Sequence, residues 1–171
     1  MSGPTPSSAF RWCAVAPGGG ALVCEPLATQ ARHFFTTRDW SPGTREPRRP
    51  DVWNDVADAA GVPASQLLHL RQVHGQQITI RRRGEPLHAG GVPTEGSDIS
   101  LTDDPSVALV IQTADCVPLL MADRATGAVA AAHAGWRGLA QRVPAVAVTA
   151  LATTFGVRPS DLVVALGPSI G

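Results

Sequence analysis

Val117-Pro118-Leu119-Leu120-Met121 and Ala128-Val129-Ala130-Ala131-Ala132, separated by Asp123-Arg124-Ala125-Thr126, decide how this chain folds. Each run is short and apolar with no polar alternation, the pattern of a strand covered on both faces. The segment between them is rich in turn-forming residues, so the two runs read as a hairpin in the core of a sheet. A hairpin about that turn sets Cys116 opposite His133. Facing residues carry their β-carbons about 4.5–5.5 Å apart. That spacing lets a thiolate and an imidazole share an ion at bond lengths of about 2.3 and 2.0 Å.

Further strands and helices extend outward from this hairpin. Val107-Ala108-Leu109-Val110-Ile111 is a third buried run, and Leu162 to Leu166 reads as a last strand before Gly167-Pro168-Ser169-Ile170-Gly171. Leu139 to Phe155 has helical composition and stops at Gly156, with Pro144 setting its start because proline fits only the first turn. Towards the N-terminus, Trp12 to Ala16 and Ala21 to Cys24 form a second hairpin about Pro17-Gly18-Gly19-Gly20. That glycine cluster lacks the spacing and lysine of a phosphate loop and is read as a turn. A short helix begins near Asp51, which caps its first amides, presents Val52, Val56 and Ala59 on one side, and ends at Gly61. Strands follow near Leu67 to Leu70 and at Gln77 to Arg82, with Arg81-Arg82-Arg83 as a solvated strand end. Segments 41–50 and 85–96, broken by proline and glycine, are loops. The mixture of hairpin strands with helices argues for the α+β class rather than regular βαβ winding. Residues 1–9 form a disordered tail and 10–171 a single domain.

Composition narrows the chemistry. Fourteen basic residues, all arginine, balance fourteen acidic ones, which leaves no excess positive field for nucleic acid. The chain has no lysine, which excludes Schiff-base and pyridoxal chemistry. Three cysteines at irregular spacing fit a reducing compartment and a cytoplasmic protein better than a disulfide framework. No run of eighteen apolar residues marks a membrane span.

Three segments each put a metal ligand where a strand meets a polar or glycine-rich turn: Arg71-Gln72-Val73-His74-Gly75, Thr113-Ala114-Asp115-Cys116, and His133-Ala134-Gly135-Trp136-Arg137-Gly138. His74, Cys116 and His133 together make a Cys-His-His set. Three protein ligands with a fourth position open mark a catalytic rather than a structural zinc; by ligand type copper is the alternative. On the same residues, Cys116 as nucleophile with His133 as base is a rival hydrolase or transferase reading. Cys13 and Cys24 are read as core residues, and His33, His69 and His88 as structural.

Taken together these segments resemble the laccase-domain or YfiH-like family, described both as multicopper polyphenol oxidases and as zinc-dependent purine nucleoside phosphorylases. The match rests on Gln72-Val73-His74-Gly75, Thr113 to Pro118, His133 to Gly138 and Gly167 to Gly171. Asp98 before Ser100-Leu101-Thr102, and Phe35-Thr36-Thr37-Arg38, match more loosely. The resemblance implies a fold of layered mixed β-sheets with helices packed outside, and zinc at His74, Cys116 and His133. It implies phosphorolysis of adenosine, inosine, guanosine and methylthioadenosine, with deamination of adenosine in the same site. Arg137 and Arg38 are candidate phosphate grips, and Gln72 is a candidate substrate contact. Asp115 is a candidate general acid or base, a candidate orienter of a ligand histidine, or a turn cap. Family members continue past the last glycine motif, so the resemblance implies a C-terminal part missing from this chain. A copper-dependent polyphenol oxidase and a truncated non-catalytic module are the competing functions.

Overall fold

The computed structural model describes residues 7–16, 19–40, 52–85 and 95–170. In chain order its elements are β1 (Phe10–Val15), β2 (Gly19–Cys24), α1 (Glu25–Ala28), β3 (Phe35–Thr36), α2 (Val52–Ala60), β4 (Leu67–Leu68), β5 (Ile78–Arg81), β6 (Ile99–Thr102), β7 (Ala108–Leu109), β8 (Val117–Ala122), β9 (Val129–Ala134), α3 (Trp136–Ala140), α4 (Val143–Phe155) and β10 (Val163–Leu166). They form a five-stranded mixed sheet in the order β10-β8-β9-β6-β5, a three-stranded antiparallel sheet β1-β2-β3, and a parallel pair β4-β7. The expected α+β class with several sheets and outer helices is what the chain adopts.

Side-chain alternation explains the layering. Leu119, Met121, Ala130, Ala132, Ala134, Ile99 and Leu101 point to one face of the five-stranded sheet and pack on Val143, Ala147, Ala150 and Leu151 of α4. Leu120, Ala122, Val129, Val163 and Ala165 belong to the opposite face and meet Leu22, Cys24, Leu27 and Phe35 of the three-stranded sheet and α1. Alanine is a poor strand former; on β9 its small side chain suits a strand buried on both faces. A third cluster gathers Trp40, Val56, Ala57, Ala59 and Leu67 about α2.

Helix α4 starts where proline permits, with Pro144 in its first turn, and closes at Gly156, whose φ of 72° only glycine adopts without strain. The residues before it are not its continuation. Trp136–Ala140 is a separate short helix that the sequence reading did not anticipate, while α4 begins beside Pro144 as expected.

Several expectations are corrected. β8 and β9 pair Pro118 with His133 and Val117 with Ala134, so Cys116 is not opposite His133. The loop is Arg124 to Gly127, one residue later than expected, and Asp123 N–H donates to Ala128 O across its base at 3.0 Å. The resulting offset is two residues, which preserves the face because strand side chains alternate with a period of two. Val107–Ile111 yields only the two-residue β7, which pairs with β4 and lies outside the five-stranded sheet. Arg81, read as solvated, is buried and makes an ion pair with Glu85 at 3.7 Å. Ser7 and Ala9, within the expected tail, accept hydrogen bonds from Phe10 and Glu25 N–H. The Asp51 cap, His88, the 41–50 loop and most of the 85–96 loop fall outside the described residues.

The largest omission is β6. Ile99 and Leu101 alternate with Ser100 and Thr102, a pattern that normally means one wet face, yet all four are buried between β5 and β9. Their hydroxyls are satisfied internally: Ser100 Oγ donates to Ala131 O at 3.4 Å, and Thr102 Oγ1 accepts from Asp104 N–H at 2.9 Å.

Candidate metal centre

His133 lies near the end of β9 and Cys116 just before β8, on the same face of the sheet. His74 arrives from the loop between β4 and β5. The ligand atoms of His74, Cys116 and His133 all lie within 4.8 Å of one another, and this trio can hold a metal ion. The two imidazoles meet edge to face, ring centres 4.7 Å apart.

Gly135 makes the space. A β-carbon there would sit 2.8 Å from Cys116 Sγ and 3.1 Å from His74 Cδ2. Its backbone, at φ −77° and ψ 171°, is one any residue adopts; the glycine is needed for room, not for conformation. A cradle that a methyl group would fill, lined by the Cys116 sulfur and the His74 ring with His133 within reach of both, fits a small borderline-soft cation.

His74 has φ 61°, in the left-handed region where a non-glycine residue is strained. The group that holds it there is Asp98, at the head of β6 and fully buried. Its Oδ2 accepts the N–H of Val73 at 3.1 Å and of Gly75 at 2.7 Å, and its Oδ1 accepts the N–H of His74 at 3.0 Å. Oδ1 also lies 2.8 Å from Nδ1 of His133. Burial pushes the Asp98 carboxyl up, but the bonds from His133 and the three amides outweigh it and leave its pKa below the usual value.

The remaining candidates are spread around this centre. Asp115 is exposed, and its backbone carbonyl accepts from Ile170 N–H at 3.1 Å; the carboxylate that contacts a ligand histidine is Asp98, not Asp115. Gln72 has both ends of its amide on the Gln112 backbone, Nε2 donating to O at 2.7 Å and Oε1 accepting from N–H at 2.8 Å. It ties the His74 loop to the segment leading into Cys116. Arg137 opens α3 with its guanidinium 4.5 Å from the centre of the Trp136 ring, and both side chains are exposed. Arg38 is exposed and follows β3 in the other sheet. That sheet reaches the region through Phe35, which fills the space beside Gly167 where a β-carbon would also meet Pro118.

The structural readings of other residues fit their surroundings. His33 Nε2 accepts from Cys24 N–H at 3.0 Å and its Nδ1 lies 3.1 Å from Ala31 O, while His69 meets Trp53 edge to face at 4.3 Å. Burial lowers the pKa of both. Cys24 is buried in the core as expected, whereas Cys13 is half-buried on β1 outside the core clusters, its Sγ 3.6 Å from Ala21 O. Among the described residues no helix is long and apolar enough to cross a membrane.

Comparison with known proteins agrees with the motifs. A purine nucleoside phosphorylase of Deinococcus radiodurans is 38% identical over 168 residues, spanning 91% of this chain and 62% of its own length. Purine nucleoside phosphorylase YfiH of Escherichia coli is 38% identical over 113 residues, 66% of this chain and 42% of its own. The chain thus spans about half the length of these relatives. The crystal structure of YlmD from Geobacillus stearothermophilus superposes with a TM-score of 0.76 at 30% identity, covering 94% of this chain and 65% of that one. The family described as multi-copper polyphenol oxidoreductase laccase matches residues 51–171, and with the YfiH and YlmD relatives alongside, the chain belongs to that family.

Proposed function

We propose that this chain carries the metal centre of a zinc-dependent purine nucleoside phosphorylase that cleaves adenosine, inosine, guanosine and methylthioadenosine with phosphate and deaminates adenosine in the same site. The observation that carries this reading is the convergence of His74, Cys116 and His133 within 4.8 Å about the Gly135 cradle. Relatives named purine nucleoside phosphorylase support the substrate class.

His74, Cys116 and His133 hold the ion, which supplies Lewis acidity at neutral pH. Arg137 leads out of the Gly135 turn and lies against Trp136, which limits its rotamers and points to it as the phosphate grip through its planar fork. Arg38 is a second grip from the neighbouring sheet. Asp115, next to Cys116 and open to solvent, is the general acid or base. Beyond its two bonds to Gln112, Gln72 keeps one amide N–H and one carbonyl lone pair to offer a substrate.

Two rival readings meet specific observations. A thiol hydrolase using Cys116, His133 and Asp98 accounts for those three residues, but it gives His74 no task, although that ring stands 4.7 Å from His133 in a strained conformation. Copper is favoured by the family's description. A Cys-His-His copper site of the electron-transfer kind most often takes a long axial methionine; Met121 is in the core on the opposite face of the sheet and does not supply one.

Mass spectrometry of the purified chain should find one zinc per chain. Incubation with adenosine should give adenine only when phosphate is present and inosine without it, with both products lost in Cys116→Ala. A folded, zinc-loaded sample that makes neither product refutes the proposal. Products from a zinc-free sample would return the thiol reading.

A further inference from the structure

Four N–H donors converge on the two oxygens of Asp98: three consecutive amides, from Val73, His74 and Gly75, and the His133 ring. The Asp98 backbone adds two more ties, its N–H donating to Gln77 O at 3.1 Å and its carbonyl accepting from His133 N–H at 2.8 Å. One buried residue therefore touches both histidines of the metal trio, on elements far apart in sequence. It also anchors the loop on both sides of His74.

We infer that Asp98 is a positioning residue that aligns both histidine ligands at once, fixing the proton of His133 on Nδ1 and holding His74 in its left-handed conformation. The inference rests on the metal-site reading above and adds a division of labour to it. An ionised carboxylate only accepts hydrogen bonds, so the His133 nitrogen facing it is the donor. Nε2 is then left with its lone pair, the form a metal needs. On the His74 side, a single oxygen pair gathers three successive amides. That arrangement bends the loop tightly enough to put a residue with a β-carbon at φ 61°. Asparagine is the same size and cannot replace it, because its NH2 group would face two of the four donors.

The probe is zinc alone, its affinity measured in the full chain by competition with a chromogenic chelator. Asp98→Asn should weaken zinc binding by about 100-fold, the upper end of the 10- to 100-fold loss usual when the partner of a ligand histidine is removed, because two ligands depend on it. Ser100→Ala, two residues along the same strand and equally buried, is the control and should bind zinc as the wild type does. Equal affinities for Asp98→Asn and wild type, or equal losses in the two variants, overturn the inference. If Asp98→Asn fails to fold, nitrogen NMR of the metal-free wild type at pH 8 decides. Protonation of His133 at Nδ1 supports the inference, and protonation at Nε2 overturns it. A wild type that takes up no zinc refutes the metal reading, while the tautomer measurement still reports on Asp98.

Discussion

Cys116 and His133 reach the centre along the β8-β9 hairpin, whereas His74 reaches it on a loop, and the two routes are secured differently. On the hairpin, a ladder running from Val117–Ala134 to Ala122–Val129 fixes position and face, so moving a ligand means breaking a sheet. In the loop, no ladder acts on His74. Its placement depends on one carboxylate and on a backbone conformation that is unfavourable by itself. Strand-borne ligands are part of the fold's stability, and the loop-borne ligand is held at the fold's expense.

Replacing the two histidines gives the largest test of this contrast. His133→Ala takes a charge-assisted hydrogen bond from the buried Asp98 carboxylate and leaves a cavity, and urea unfolding should show a loss of about 3 kcal/mol or more. His74→Gly removes a ligand but also relieves the left-handed strain, so its stability should stay within about 1 kcal/mol of wild type. Both should lose zinc. Equal destabilisation would erase the distinction between the routes.

A smaller effect is expected where the routes meet. Gly135→Ala places a methyl group against Cys116 Sγ and His74 Cδ2. It should cost about 1–3 kcal/mol in stability, and metal analysis should find the site empty because the cradle is filled. Full occupancy would mean that the loop yields more readily than the geometry indicates.

The smallest effect belongs to the hairpin's own turn. Packing pushes the Asp123 carboxyl up, but the Thr126 hydroxyl, the N–H groups of Ala125 and Thr126 and the charge of Arg158 leave its pKa below the ordinary carboxylate value. A depressed folded-state value stabilises the fold above the unfolded-state pKa, and that contribution disappears as pH falls through the folded value. Asp123→Asn should therefore flatten the acid limb of the stability curve below about pH 4 and leave zinc affinity unchanged. An unchanged acid limb would remove the turn from the account.

The same contrast explains what could be read in the residues. The apolar runs of β8 and β9 announce buried strands, and Pro144 and Gly156 mark the ends of α4, because strand burial and helix termini leave local signatures. The register missed by two residues because Gly127, not Asp123, belongs to the loop; the pair stayed on one face because parity survives such a slip. β6 went unread because hydroxyl residues normally signal solvent, and only its neighbours reveal that Ser100 and Thr102 are internally bonded. Asp98 showed only as a loose motif match. Its importance comes from four donors drawn from positions 73 to 75 and 133, and no spacing rule connects those to residue 98.

The Asp98 hub has a consequence for how the ion is kept. Its bonds are made to protein groups alone, so the hub itself needs no cation to hold the two histidines in place. Binding then adds to stability by mass action, growing with the logarithm of free metal, instead of driving folding as it does in small zinc modules. On the proposed metal reading, a chelator should strip the ion without unfolding the chain, leaving a standing structure ready for a new tenant.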